Sequence, residues 1–159
     1  MPLRTITAIE ASADLAGFDA IIDARSPAEF AEDHLPGAVN WPVLDDEQRR
    51  TVGTLFVQTS ALEARKLGAT MAARNIADHL DRWIADKPRE WQPLVYCWRG
   101  GQRSGSLAWF LDQIGFRTHR SSGFGAQRFG LRLGFVAAHC FEAAGKDDGL
   151  AGHCRSLDV

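Results

Sequence analysis

PLVYCWRGGQRSGSLAWFLDQIG, running from Pro93 to Gly115, is the stretch on which the fold reading turns. Pro93 to Cys97 is a short apolar run of strand formers with the look of a buried central strand. From Ser104 to Gly115, Leu107, Phe110, Leu111 and Ile114 fall at i, i+3, i+4 and i+7, one apolar stripe of a helix, and Gly115 is a natural stop. Strand, tight glycine loop and helix thus follow one another within 23 residues. The same grammar appears upstream, where FDAIIDAR, Phe18 to Arg25, reads as a second buried strand. Ser26-Pro27-Ala28-Glu29 after it offers an N-cap, a proline at the first helical position and an early acid. Between the two units, residues 60–87 are mostly helix formers, with Leu80, Trp83 and Ile84 at helical spacing, and predict one long or two shorter helices before Lys87-Pro88. This alternation predicts an α/β fold around a mostly parallel sheet. Ligands of such sheets bind at the carboxyl ends of strands, which is where Cys97 stands.

The chain has 159 residues, 45% apolar and 24% charged, enough for one domain with a core. Its formal charge of -2 points away from a uniformly basic nucleic-acid surface, so an RNA partner would need a local patch. No membrane-length apolar run occurs, and the first residues lack the apolar middle of a signal peptide. The expectation is a cytoplasmic protein without membrane association. Cys97, Cys140 and Cys154 are too few for a disulfide scaffold. From Ser121 onward, seven glycines and scattered aromatics show no sustained period. The domain boundary is therefore expected near 125, with residues 126–159 a divergent tail, disordered or the stub of a second domain.

A thiol becomes a nucleophile when ionised, and cations with a helix N-terminus lower its pKa from about 8.5 to about 3.5–7.5. The loop after Cys97 offers both. Arg99 and Arg103 flank Gly100-Gly101, whose amides can turn inward to make an anion nest at the positive end of the following helix. A persulfide, a selenopersulfide and a phosphate are all anions that such a cradle suits. A plain buried cysteine would explain neither the two arginines nor the paired glycines. Trp98 could stack on a base but is read as core.

Several separated segments together carry a resemblance. Asp23-Ala24-Arg25-Ser26-Pro27-Ala28-Glu29-Phe30, His34-Leu35-Pro36-Gly37-Ala38-Val39-Asn40-Trp41-Pro42 and Tyr96-Cys97-Trp98-Arg99-Gly100-Gly101-Gln102-Arg103-Ser104, in that order, resemble a rhodanese (sulfurtransferase) domain. Asp45 to Gly68, DDEQRRTVGTLFVQTSALEARKLG, and the spelling CWRGGQRS are similar to the N-terminal rhodanese domain of the tRNA 2-selenouridine synthase family. The resemblance spans residues 18–120 and implies a three-layer sandwich. It implies that Cys97 carries sulfur or selenium and that Trp98, Arg99, Gly100, Gly101, Gln102, Arg103 and Ser104 form the cradle. Asp23 and Arg25 would be supports, with Glu29 a further candidate. No metal and no bound cofactor are implied; selenophosphate or thiosulfate would enter as donor substrate. The family's reaction converts wobble 2-thiouridine of tRNA into 2-selenouridine through a geranylated intermediate.

Full members of that family add a P-loop domain, and G-x-x-x-x-G-K-[ST] is missing here. Ala144-Gly145-Lys146-Asp147 has Asp at the Ser/Thr position and Cys140 at the first glycine. Ser122 to Arg128 is a worn version of the family's GGYKAYR-like segment. The complete reaction is therefore not expected of this chain alone, and a partner protein could supply the P-loop domain. Cys97 to Ser104 also satisfies C-x5-R-[ST], so a cysteine phosphatase is one rival, and a docking module with an idle cysteine is another. His139-Cys140 and His153-Cys154 offer four zinc ligands in two pairs but lack C-x2-C spacing. Arg99, Arg103, Arg117, His119, Arg120 and Arg128 are candidates for a basic rim for tRNA. His34 beside its Pro-Gly turn, Asn40 and Trp41 read as structural.

Overall fold

The computed structural model describes residues 3–123. Five strands form one sheet in the order β1-β5-β4-β2-β3, where β1 is Arg4–Ile6, β2 Ala20–Asp23, β3 Ala38–Asn40, β4 Pro93–Tyr96 and β5 His119–Ser121. Every pairing is parallel, and β2 lies against β4 with Ile22 opposite Val95 and Asp23 opposite Tyr96. Five helices flank the sheet: α1 (Ala8–Ala13), α2 (Pro27–Glu32), α3 (Asp46–Gln58), α4 (Ala61–Trp83) and α5 (Gln102–Ile114). The architecture is the α/β arrangement around a parallel sheet that the alternation predicts, in the three-layer form that the resemblance implies.

Local signals account for the helix boundaries. Thr7 and Glu10 close a reciprocal capping box on α1, Ser26 and Glu29 one on α2, and Asp45 and Gln48 one on α3. Ser60 caps α4 through the amides of Leu62 and Glu63. Gly115, left-handed at φ 109°, ends α5. The core joins Ile22 and Val95 of the central strands to Ile76 of α4 and Leu107, Ala108 and Leu111 of α5, with Trp41, Trp91 and Phe116 closing its edge. A core leucine such as Leu107, fully buried, contributes about 2–5 kcal/mol against alanine.

Several expectations need correction. Residues 60–87 form one helix that ends at Trp83, and Trp83 faces solvent at 53% exposure while Leu80 and Ile84 pack on the core. The predicted stripe of α5 stops short, because Ile114 is 47% exposed in the last turn, and the helix begins at Gln102, two residues earlier than expected. The three-residue strands β1, β3 and β5 carry too little pattern to be read in advance. The domain boundary at 125, Arg128, the Ala144 to Asp147 fragment and the His-Cys pairs of the tail lie outside the described residues. No helix among the described residues is long and apolar enough to cross a membrane.

Candidate functional site

Strand order decides where a crevice opens. The chain leaves β2 through α2 toward β3 on one side, and leaves β4 through α5 toward β5 on the other. The adjacent carboxyl ends of β2 and β4 therefore diverge, a topological switch point. Cys97 sits at the end of β4, Asp23 and Arg25 at the end of β2, Glu29 in the first turn of α2 and Arg103 in the first turn of α5.

Cys97 is 3% exposed, and its sulfur is met by two groups. The Gly101 amide donates to Sγ at 3.2 Å, and the Ser104 hydroxyl lies 3.0 Å from it. Both belong to the start of α5, with Gly101 at the N-cap and Ser104, fully buried, one turn in, so the helix dipole points its positive end at the sulfur. The second glycine contact is steric. Gly100 has φ +59°, and a Cβ there would fall 1.9 Å from the Ser122 carbonyl oxygen; reciprocally, a Cβ on Gly123 would fall 2.5 Å from the Arg99 carbonyl carbon. Only backbone fits where the loop crosses the end of β5.

Behind the loop lies a buried ion pair. Asp23 is fully buried and accepts from Arg25 Nε at 3.1 and 3.0 Å, from Nη2 at 2.8 Å and from the Arg25 amide at 2.9 Å. Arg25 also reaches the Asp33 carboxylate at 2.9 Å and the Asp33 carbonyl, and its guanidinium lies 4.9 Å over the Trp98 ring. Asn40 donates to the carbonyls of Asp23 and Arg25 at 3.1 and 2.9 Å. Burial and the neighbouring Asp23 charge push the Tyr96 phenol far above its ordinary range, so it stays neutral and accepts from the Leu35 amide at 3.0 Å. Burial pulls the Arg25 guanidinium down, but the bonds and charge of Asp23 outweigh it and hold the group ionised.

Arg103 is not a free cation. It meets Glu29 at 2.5 Å through Nη1 and 3.4 Å through Nη2, and Arg49 of α3 reaches the same carboxylate at 3.0 Å through Nε. Burial raises the Glu29 carboxyl, but Arg103, the Ser26 amide and Arg49 outweigh it and hold it below its usual range. Arg99 is exposed, with no ion pair among the described residues. An apolar groove of about 1010 Å³ runs from Gly101, Gln102 and Arg103 between α3, α4 and α5, past Val52, Phe56 and Trp109.

The site thus brings Cys97, Gly100, Gly101, Arg103 and Ser104 together with Asp23 and Arg25 behind them. Gln102 is exposed and has no described hydrogen bond to the sulfur. Asp23 and Arg25 form a buried pair. Trp98 is half-buried under Arg25 instead of being packed in the core. His34 Nδ1 donates to the Phe30 carbonyl at 2.9 Å and the ring stacks on Phe30, and Trp41 packs in the core, both structural positions. The basic rim divides. Arg99 and Arg103 lie at the carboxyl end of the sheet, whereas Arg117 and His119 precede or begin β5 at the opposite end, and His119 is buried. Arg120 is directed to Thr5 of β1. The sequence reading missed Arg49; its helix, α3, carried no assignment, though DDEQRR opens with a cap and two acids.

The rhodanese-like domain family matches residues 7–123. The chain belongs to the rhodanese-like domain family. Among curated proteins it is similar to tRNA 2-selenouridine synthase from Nitrosomonas europaea, 41% identical over 96 residues, which is 60% of this chain and 25% of that protein. It is also similar to the synthases of Aeromonas salmonicida, 35% identical over 65% of this chain and 28% of the relative, and Shewanella piezotolerans, 34% identical over 72% and 32%. The chain therefore spans about a quarter to a third of the length of these relatives. Among solved structures, the N-terminal domain of a protein named for ATP/GTP binding from Clostridium difficile 630 superposes with a TM-score of 0.63. It is 26% identical and covers 87% of this chain and 98% of that one.

Proposed function

We propose that this rhodanese-like domain carries sulfur or selenium as a persulfide or selenopersulfide on Cys97, in a soluble cytoplasmic reaction related to the conversion of 2-thiouridine to 2-selenouridine at the tRNA wobble position. The observation that carries the reading is the pair of groups on Sγ, the Gly101 amide at 3.2 Å and the Ser104 hydroxyl at 3.0 Å, at the positive end of α5. These are donors suited to a sulfur that bears negative charge before and after transfer. With thiosulfate as donor, the Cys97 thiolate attacks the outer sulfur, a new S–S bond forms, the S–S bond of thiosulfate breaks and sulfite leaves with its electron pair. The terminal sulfur of the resulting Cys97–S–S⁻ is then available to an acceptor. In this proposal selenophosphate loads selenium by the same displacement, the thiolate attacking selenium as the P–Se bond breaks and phosphite leaves with the electron pair, and tRNA is the acceptor. Because the relatives are three to four times longer than the matched segment, the proposal assigns this chain the chalcogen-carrying step alone.

The Cys97 to Arg103 spacing with Ser104 beside the sulfur also suits phosphate-ester hydrolysis, in which the thiolate would attack phosphorus. One experiment separates the readings. Intact-protein and peptide mass spectrometry after thiosulfate, then after a selenium donor, is expected to show a one-chalcogen adduct on Cys97 that is absent from Cys97→Ser. No adduct on folded wild-type protein, with hydrolysis of an aryl phosphate that Cys97→Ser loses, would move the reading to phosphatase. Neither activity would leave a docking module.

A further inference from the structure

We propose that Arg49 is the second arm of an anion site at the mouth of the Cys97 loop, built with Arg103 around Glu29, and that it holds the phosphoryl group of the reactant that meets Cys97. The inference rests on the reading of Cys97 as a chalcogen carrier and names what that site recognises. Arg49 comes from α3 and Arg103 from the first turn of α5, yet Arg49 Nε and Arg103 Nη1 share one oxygen, Glu29 Oε2, at 3.0 and 2.5 Å. Two guanidinium groups stand side by side against a single carboxylate. Both stand beside the loop that carries Cys97, on which Arg99 is exposed.

Glu29 has nothing more to offer these arginines. Its Oε2 also accepts from the Ser26 amide at 3.3 Å, and Oε1 is turned to Arg103 Nη2 at 3.4 Å. Of the acids that open α3, Asp45 accepts from the Gln48 amide and Asp46 from the Ala28 amide, and no ion pair joins them or Glu47 to Arg49 among the described residues. The terminal Nη groups of Arg49, on a side chain 53% exposed, therefore have no acceptor among the described residues. A planar guanidinium with its fork free is the group that binds a tetrahedral oxyanion through two parallel bonds. A phosphoryl dianion would give the free fork of Arg49 the acceptors that Glu29 does not supply. A buried or fully paired arginine could not do this, and a lone surface arginine would lack the second cation.

The test uses the full 159-residue chain with inorganic phosphate as probe. Phosphate is titrated while amide resonances of Gly100, Gly101 and Gln102 are followed by NMR and Cys97 alkylation by the neutral reagent iodoacetamide is timed. Phosphate is expected to shift these amides and slow alkylation. Arg49→Ala should weaken phosphate about fivefold at low salt, and Arg49→Lys should recover part of the loss. Glu29→Gln should tighten it, because the competing charge is removed while a glutamine still satisfies the Ser26 amide. A merely structural role for the cluster predicts the opposite sign for Glu29→Gln, and that result overturns the proposal. So does phosphate affinity unchanged in Arg49→Ala, or no phosphate binding to wild type. The spectra report folding of every variant. Thiosulfate loading of Cys97 is read separately by mass. Arg49-dependent phosphate binding without an adduct would sink the carrier reading and keep the anion site, whereas an adduct without Arg49 dependence would do the reverse.

Discussion

At the carboxyl end of the sheet, Asp23, Arg25 and Asp33 are joined in one buried network, and Glu29 gathers Arg103 and Arg49. At the amino end, Arg4, Arg89 and Arg117 line a cavity of about 550 Å³ with Glu90 and Asp112, and none of the three arginines has an ion pair among the described residues. Thr118 Oγ1, on a buried side chain lining that cavity, has no hydrogen-bond partner among them either. Counted by arginines without an ion pair among the described residues, the amino end would be the more attractive site. Among the described residues it has no thiol and no helix N-terminus aimed into it. The difference teaches that strand polarity chooses the reactive end of a parallel sheet, because divergent connections open a crevice only beyond the carboxyl ends.

The comparison breaks most readily at Asp23. Asp23→Ala strips the buried guanidinium of Arg25 of its main partner and is expected to cost about 3–5 kcal/mol, whereas Arg117→Ala at the other end should change stability by less than about 0.5 kcal/mol. Urea denaturation of both variants checks this; equal effects would mean that the two ends are built alike. A smaller effect is expected at Gly100. Gly100→Ala forces a side chain onto the Ser122 carbonyl at a positive φ, and should cost about 1–3 kcal/mol while slowing loading of Cys97 more than it lowers the melting temperature.

The smallest effect sharpens the contrast through pH. Burial, then the Arg4 charge, holds the His119 imidazole below its ordinary pKa, so the unfolded chain binds the proton first. Stability from His119 is complete above about 6.5 and falls as pH drops below that value. Glu29 is also held low, but as an acid. Its contribution is present above about 4.3, the ordinary carboxyl value, and disappears only as pH falls through its depressed folded value. Melting temperature against pH should thus lose its higher limb in part in His119→Gln, since burial lowers His79 in the same window, and its lower limb in Glu29→Gln. One variant altering both limbs would mean that the ends are coupled.

Much of the scaffold was legible because its signals are local. The apolar run before Cys97, the Ser26-Pro27 start of α2, the stripe of Leu107 and Leu111 and the stop at Gly115 each depend on residues within one or two turns. Trp83 and Ile114 misled for the same reason. Helical spacing states which residues share a face, and only the neighbouring layers determine how far along the helix that face is covered. The short strands β1, β3 and β5 hold three residues each, too few for a period to show, and exist through their pairing partners.

The order of segments around Asp23, His34 and Cys97, with the Cys-x5-Arg-Ser loop and its paired glycines, was enough by itself to determine the rhodanese family and the thiol at the head of a helix, since each is a matter of which residues adjoin along the chain. Tertiary structure alone decided that Arg103 is held by Glu29, that Arg49 arrives from a helix 54 residues away and that Arg117 and His119 stand at the wrong end of the sheet to share a surface with Cys97. Charges interact through space and strands have a direction, and neither distance nor direction is written in the spacing of residues along one chain.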